Sequence, residues 1–334
     1  MNLYTTLKEL CLVPGISGRE KNVRAAIEKK IAPFVNEVRT DTLGNLIALK
    51  KGRTGEKRIM LCAHMDEIGY LVNFIEDNGL IRVGAIGGVG FANSAYSKVV
   101  SENGVAGFLA PDASVAPADI VADKMYIDIG ASTKKEAERK VRIGDSFVGE
   151  PSLCKLYGKR VAGRPIDDRV GCLVLLAVAE SLKDVELDAD IYFVFSVQEE
   201  VGCRGSITAT YAIAPTEAIC VDVTSTGDRP GSKPMACALG KGAAIKIKDR
   251  SVICHEEIVN ALESIAKENK IPVQKEILAF GGTDTSSMQL TGAGCKAGAV
   301  SIPTRNVHTS VECCDMGDVE AAVKLIEKYL VARG

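Results

Sequence analysis

Ile191-Tyr-Phe-Val-Phe-Ser-Val-Gln-Glu-Glu-Val-Gly-Cys-Arg204 carries the strongest structural pattern in the chain. Its first half is a continuous apolar run rich in β-branched and aromatic residues. That is the pattern of a strand buried on both faces, as in the middle of a parallel sheet. The run stops at two adjacent carboxylates, Glu199 and Glu200, and Gly202 and Gly205 mark a turn into the next segment. In open α/β sheets, ligands bind at the carboxyl ends of the strands. Two acids confined there repel each other and lose hydration, so something positive has to offset them, and metal ions are the leading candidates. A solvated turn is the competing reading, and the buried strand in front of the pair argues against it.

Working outward, the same sequence of apolar run followed by an acid or histidine recurs. Ile59–Ala63 runs into His64-Met-Asp66-Glu67, Ala218–Val223 carries Asp222, and an apolar segment near Lys296–Ile302 precedes a loop with His308. Helices are expected over residues 3–11, over 255–269 and from Met316 to Val331. Another should follow Ser17-Gly-Arg-Glu20, which reads as a capping box, and another is opened by Asp167-Asp168-Arg169. Residues from about 67 to 160 have a different texture. Glu76-Asp-Asn-Gly79 and Glu102-Asn-Gly104 read as hairpin turns, Gly84, Gly87, Gly88 and Gly90 crowd a short span, and one short helix stands out near Lys134–Lys140. This segment reads as a small barrel or sandwich. The expected organisation is an α/β domain from residues 1–66 and 160–334, interrupted by a β-rich domain at 67–159.

The chain has 334 residues, 46% apolar and 25% charged, with a net charge of −2. That balance excludes a basic field for nucleic acid or an anionic membrane. No apolar run is long enough to span a bilayer, and the first residues lack a signal-peptide pattern, so a cytoplasmic location is expected. The 11 cysteines are odd in number and scattered, with no Cys-x-x-Cys pair. They suit reduced, buried thiols better than a disulfide framework or a thiolate zinc cage.

The candidates for chemistry are the acids and histidines at strand ends and helix starts: His64, Asp66, Asp167, Asp168, Glu199, Glu200, Asp222 and His308. Carboxylates and imidazoles together suit zinc, cobalt or manganese. Two such ions about 3.5–4 Å apart can activate a bridging water and clamp a developing oxyanion, and a spare carboxylate can move its proton to a leaving nitrogen. His64 and Asp66, two apart on a strand, would share a face, so that Asp66 could orient the His64 ring.

Four motifs, in order, carry a resemblance: Ala63-His-Met-Asp-Glu-Ile-Gly69, Ile166-Asp-Asp-Arg169, Val197-Gln-Glu-Glu-Val-Gly-Cys-Arg-Gly205 and Val221-Asp-Val-Thr224. Arg305-Asn-Val-His-Thr-Ser-Val-Glu312 adds a fifth. The sequence resembles the co-catalytic metallo-aminopeptidases of the glutamyl aminopeptidase and cellulase M family. The resemblance implies an α/β/α zinc-peptidase-like catalytic domain with a mixed central sheet, and an inserted, barrel-like dimerisation and assembly domain. It implies an aminopeptidase that removes N-terminal residues from short peptides, with two divalent ions per subunit, zinc or cobalt first and manganese next, and a metal-bridging water as nucleophile. His64 and Asp222 would serve one metal, Glu200 and His308 the other, and Asp167 would bridge them. Glu199 would be the general base and acid, with Asp66 the supporting acid behind His64. The assembly implied is a homo-oligomer, dimers building a tetrahedral dodecamer.

Competing readings remain at single positions. One of Asp167 and Asp168 should cap the helix while the other ligates, and Asp222 could cap the turn that follows it. Glu67 reads as an ordinary strand-end charge, Cys203 as packing, and the glycines at 87–90 as turn residues. Gly281-Gly-Thr-Asp284 could line a substrate pocket, with Lys241, Lys246 and Arg250 near it in sequence. Paired carboxylates also cleave glycosidic bonds, and family members have carried endoglucanase names. A polysaccharide groove asks for aromatic platforms, however, and the chain has 0 Trp and 5% aromatics. A metal-dependent scaffold without catalysis is the non-enzymatic alternative.

Overall fold

A computed structural model describes residues 1–334. The strand read first, Asp190–Ser196, lies in an eleven-stranded mixed sheet. Four of its strands run parallel and side by side: Asp190–Ser196, Arg58–His64, Glu217–Thr224 and Lys296–Arg305. The flanks are antiparallel. Leu46–Lys50 borders Asp190–Ser196, and Glu312–Asp315 borders Lys296–Arg305 and leads to Arg160–Arg164 and Ser152–Lys155. Asp190–Ser196 therefore has one parallel and one antiparallel neighbour, which the apolar run alone could not distinguish from a wholly parallel setting.

Alternate residues of the central strands feed two cores. Ile59, Leu61 and Ala63 join the larger cluster, while Met60 and Cys62 join the other. The helix Arg169–Ser181 is buried from Arg169 to Ala179, so its apolar character is continuous rather than striped. It packs on the sheet with Leu3–Cys11 and Met316–Arg333 around it, and Arg204–Ile213 and Asp284–Leu290 lie on the opposite face. The result is three layers, α/β/α.

Register decides what gathers at the sheet edge. Ser196 lies opposite His64, and Cys62 opposite Cys220. The parallel strands thus end together, bringing His64, the Val197–Glu200 turn and Asp222 to one rim.

Six strands, Gly69–Ile75, Ile81–Ile86, Ser97–Ser101, Ala106–Pro111, Met125–Asp128 and Ser146–Gly149, close into a barrel. Its own core holds Tyr70, Val72, Ile81, Val83, Leu109, Ile127 and Phe147. Closure pairs every edge. The hairpin turns fall where expected, with Gly79 at φ +88° and Gly104 at φ +80°, a region that glycine enters without steric cost.

The capping box does not form. The helix Lys21–Ile31 begins after Glu20 with no side-chain cap. The Ser17 hydroxyl instead donates to Asp66 Oδ2 at 2.7 Å, and Glu20 Oε1 accepts from Gly18 N and Gln198 N. Distant partners outcompete the local motif.

The C-terminal helix is tied to the central sheet through Glu217, whose carboxylate accepts from Tyr329 Oη at 2.7 Å and from Arg333, with Lys57 at 3.2 Å. Burial alone would raise this carboxyl, but Arg333, Tyr329 and Lys57 outweigh it and hold its pKa at about 2. A depressed folded-state pKa gives stability that is present above the ordinary value of 4.5 and is lost as pH falls towards about 2. Urea unfolding of the protein and of Glu217→Gln should therefore differ most near neutrality, and the gap should shrink across that acid window.

Candidate active site

His64 closes the strand Arg58–His64. Its Nε2 lies 3.1 Å from Asp167 Oδ1, 3.8 Å from Asp222 Oδ1 and 3.9 Å from Glu199 Oε2. The second oxygen of Asp167 faces the other way. Asp167 Oδ2 is 3.2 Å from His308 Nε2, which is also 3.2 Å from Glu200 Oε2. His64, Asp167, Glu199, Glu200, Asp222 and His308 thus line one cleft of about 490 Å³.

Asp168 turns away. It caps the helix Arg169–Ser181 by accepting from Gly171 N at 2.9 Å, and its other oxygen accepts from His64 N at 3.3 Å.

Asp66 lies behind the His64 ring, by a different route than a shared strand face. The strand ends at His64, so the shared-face argument does not apply. His64 Nδ1 meets the Asp66 backbone carbonyl at 3.0 Å, and the Asp66 carboxylate is 3.5 Å off. That carboxylate accepts from Ser17 Oγ, Glu199 N and Glu200 N at 2.7, 3.0 and 3.2 Å. Asp66 therefore fixes the turn that carries the two glutamates more firmly than it fixes the ring.

Glu67 is no strand-end charge. It is buried against Arg164 and Arg169, at 3.2 and 3.3 Å, and accepts from Gly15 N. The glycines at 87 and 88 serve close approach. A Cβ on Gly88 would lie 2.9 Å from His308 Nδ1, and one on Gly87 3.1 Å from Glu200 Cβ. The Gly88 carbonyl meets His308 Nδ1 at 3.2 Å, so a loop from the barrel segment orients that ring. Of the three cations noted in the sequence, Lys246 lines the cleft. Gly281 and Gly282 line it as well.

Two acids stood inside motifs without a supporting role of their own assigned from the sequence. Glu312 accepts from Ile166 N at 2.6 Å, from Asp167 N at 3.0 Å and from His308 N at 3.0 Å. It holds the backbone of Asp167 and of His308 together. Its place four residues after His308, closing the fifth motif, was the available signal. Asp284, buried at the start of its helix, accepts from Ser196 Oγ and Ser206 Oγ at 2.5 Å.

The electrostatics are those of crowded acids. Burial raises Glu199, Glu200 and Asp222 above the usual carboxylate range, with His64 or His308 pulling the other way. Burial also opposes charge on His64, but Asp167 and Asp66 override it and raise that imidazole. Asp167, which burial alone would raise, is held well below the usual range by His308 and His64. Lys246 lowers Asp222 but does not offset its burial, and Asp249 and Glu276 already pair it. Glu200 Oε1 is buried without a hydrogen-bond partner. Oxygen and nitrogen donors lie within 4.8 Å of one another in His64–Asp167–Glu200 and in His64–Asp168–Asp222. The donor set and the orphaned oxygen fit hard or borderline divalent cations.

A layered α/β sheet with acids and imidazoles gathered at its parallel edge is an arrangement that suits a metal-using hydrolase. The match is specific: the model of the M42 glutamyl aminopeptidase family covers residues 44–325, and the chain belongs to that family. A Pyrococcus furiosus lysyl aminopeptidase is 34% identical, over 98% of this chain and 96% of its own. A Desulfurococcus kamchatkensis aminopeptidase superposes with a TM-score of 0.94 at 35% identity, covering 98% of this chain and 94% of that one. The Pyrococcus horikoshii TET1 peptidase, which can assemble into a tetrahedron or a large octahedral shell, gives 0.89 at 34% identity, covering 98% and 99%. The protein is an aminopeptidase, and its family implies divalent metal.

Glu312→Gln would turn an amide NH₂ toward backbone N–H groups that now donate to a carboxylate. The expected loss in kcat/KM is roughly 10- to 100-fold, with the far-ultraviolet circular dichroism spectrum unchanged.

Proposed function

We propose that the cleft holds two divalent cations and hydrolyses the first peptide bond of short peptides. His64 and Asp222 would hold one ion, Glu200 and His308 the other, and Asp167 would serve both. The observation that carries this reading is the division of the Asp167 carboxylate, with Oδ1 at 3.1 Å from His64 and Oδ2 at 3.2 Å from His308. Bound there, the ions would supply a water acidic enough to lose its proton near neutral pH, and positive charge for the carbonyl oxygen.

The remaining work falls to the side chains. Glu199 is the general base: its Oε2 faces the His64 side of the cleft. Burial and neighbouring acids raise its affinity for a proton. It takes the proton of the attacking water and returns it to the leaving nitrogen. Asp66 supports both glutamates through their backbone N–H groups. Zinc, cobalt and manganese all suit these donors. A polysaccharide reading finds little support, since Phe280 is the one Phe, Tyr or Trp ring in the cleft.

Assembly is proposed through the barrel, residues 67–159 forming the dimerisation unit and dimers building a tetrahedral dodecamer in the cytoplasm. Phe74, Tyr96, Phe108 and Ile143 of this segment are exposed apolar side chains available to a contact surface. Light scattering should report a particle far larger than the 35.4 kDa chain, shrinking on chelation where metal supports assembly. A monomer under all conditions would count against it.

Excess chelator should abolish release of nitroaniline from aminoacyl-nitroanilides, and added zinc, cobalt or manganese should restore it. Retained metal should fall as pH is lowered, because protons compete for the ligands. Glu199→Gln should keep the metal content and lose roughly 10²- to 10⁴-fold in kcat. A near-normal rate in that variant would remove Glu199 from the mechanism.

A further inference from the structure

Cys203 lines the cleft and has no task in the proposed chemistry. It follows Glu199 by one tight turn and sits at the cap of the helix Arg204–Ile213. Its thiol donates to Glu199 Oε1 at 3.2 Å and is the one hydrogen-bond donor on that carboxylate. The other oxygen, Oε2, lies 3.9 Å from His64 Nε2. Asp284 stands behind, its carboxylate within 4.8 Å of both the thiol and Glu199. The Asp284 oxygens are already engaged by Ser196 and Ser206, at 2.5 Å. Its charge repels Glu199 without offering a donor.

The backbone gives a second, independent reason to look here. Cys203 has φ +53°, and Gly202 before it φ +119°. A residue with a Cβ is strained in the left-handed region, and glycine is free there. A glycine at 203 would relax the turn and would leave the Glu199 carboxylate with no donor.

We infer that Cys203 is a positioning residue for the general base: its S–H holds Glu199 Oε1 so that Oε2 stays aimed at the His64 side of the cleft. The inference rests on the assignment of Glu199 as base. A thiol suits the task because it is neutral and a weak donor. A lysine or arginine would hold the carboxylate equally well, but its charge would stabilise the anion and weaken it as a proton acceptor. Burial, with Glu199 and Asp284 adding to it, pushes the Cys203 thiol far above its ordinary range. The proton therefore stays on sulfur, where the hydrogen bond needs it.

The test compares Cys203→Ala, Cys203→Ser and Glu199→Gln, singly and with Cys203→Ala combined with Glu199→Gln, on metal-loaded protein with an aminoacyl-nitroanilide. Cys203→Ala should lower kcat about tenfold, as expected when a reacting group is slightly misplaced, with KM within about twofold and bound metal unchanged. Cys203→Ser, which restores a donor, should recover most of kcat. In the Glu199→Gln background, Cys203→Ala should cost nothing further, because the two act as a unit. The positioning role is overturned by a fully active Cys203→Ala, by equal losses in Ala and Ser, by loss of metal in step with rate, or by additive effects in the double variant. A near-normal rate for Glu199→Gln alone overturns the base assignment and the positioning role with it. An inactive Glu199→Gln beside a fully active Cys203→Ala overturns the positioning role only.

Discussion

One carboxylate held between two imidazoles is the contact on which the rest of this structure depends. Asp167 offers Oδ1 to His64 and Oδ2 to His308, residues from opposite ends of the chain. Bringing them together takes the whole mixed sheet. His64 arrives on a parallel strand, Asp167 just before a buried helix, and His308 on the loop after the strand Lys296–Arg305. Glu312 then closes the figure by accepting from the backbone N–H of both Asp167 and His308. A shared acid is useful only if neither imidazole can drift: Glu312 holds the His308 backbone, and the Asp66 carbonyl and Asp168 hold His64, all without using the Asp167 oxygens.

The same constraint explains the buried ion cluster beside the site. Arg169, fully buried, donates to the carbonyls of Met65, Leu10 and Val13 and pairs with Glu67. Arg164 pairs with the other Glu67 oxygen. A buried arginine is tolerable only when its donors are occupied, and for Arg169 the acceptors come from the N-terminal helix and its end, the strand end at His64 and the residue after Asp66. The cluster locks the Met65–Ile68 segment, where the sheet hands over to the barrel. The barrel returns the contact through Gly87 and Gly88, where an added Cβ would stand 3.1 Å from Glu200 Cβ and 2.9 Å from His308 Nδ1.

What could be read from the residues divides along physical lines. Apolar runs ending in acids were legible, because a strand buried on both faces has few other spellings, and His64, Glu199 and Asp222 all lie at such ends. The α/β class and the separate barrel segment followed from the change in texture near residue 67. Contacts that join distant parts were not legible. Ser17 and Glu20 spell a local cap, yet Asp66 and Gln198 claim them. Gly87 and Gly88 look like turn residues until His308 is beside them. Glu67 looks like a surface charge until two arginines converge on it. In each case a short-range pattern was right about chemistry and wrong about the partner, because the partner lies in another segment of the fold.

Charge is the last step. Within the cleft, Glu199, Glu200, Asp167 and Asp222 face two imidazoles and one lysine. That lysine is already paired with two acids, Asp249 and Glu276, and Arg164 and Arg169 share the single Glu67 carboxylate. Every buried cation near the site has thus been taken by an acid outside it, so the cleft keeps an anionic excess that the chain does not neutralise. Burial raises those carboxyls toward protonation, and a divalent cation would displace the protons by supplying the missing charge. On this view the arginines and Lys246 matter for what they leave undone. By being satisfied elsewhere, they leave the rim of the sheet to cations that come from solution.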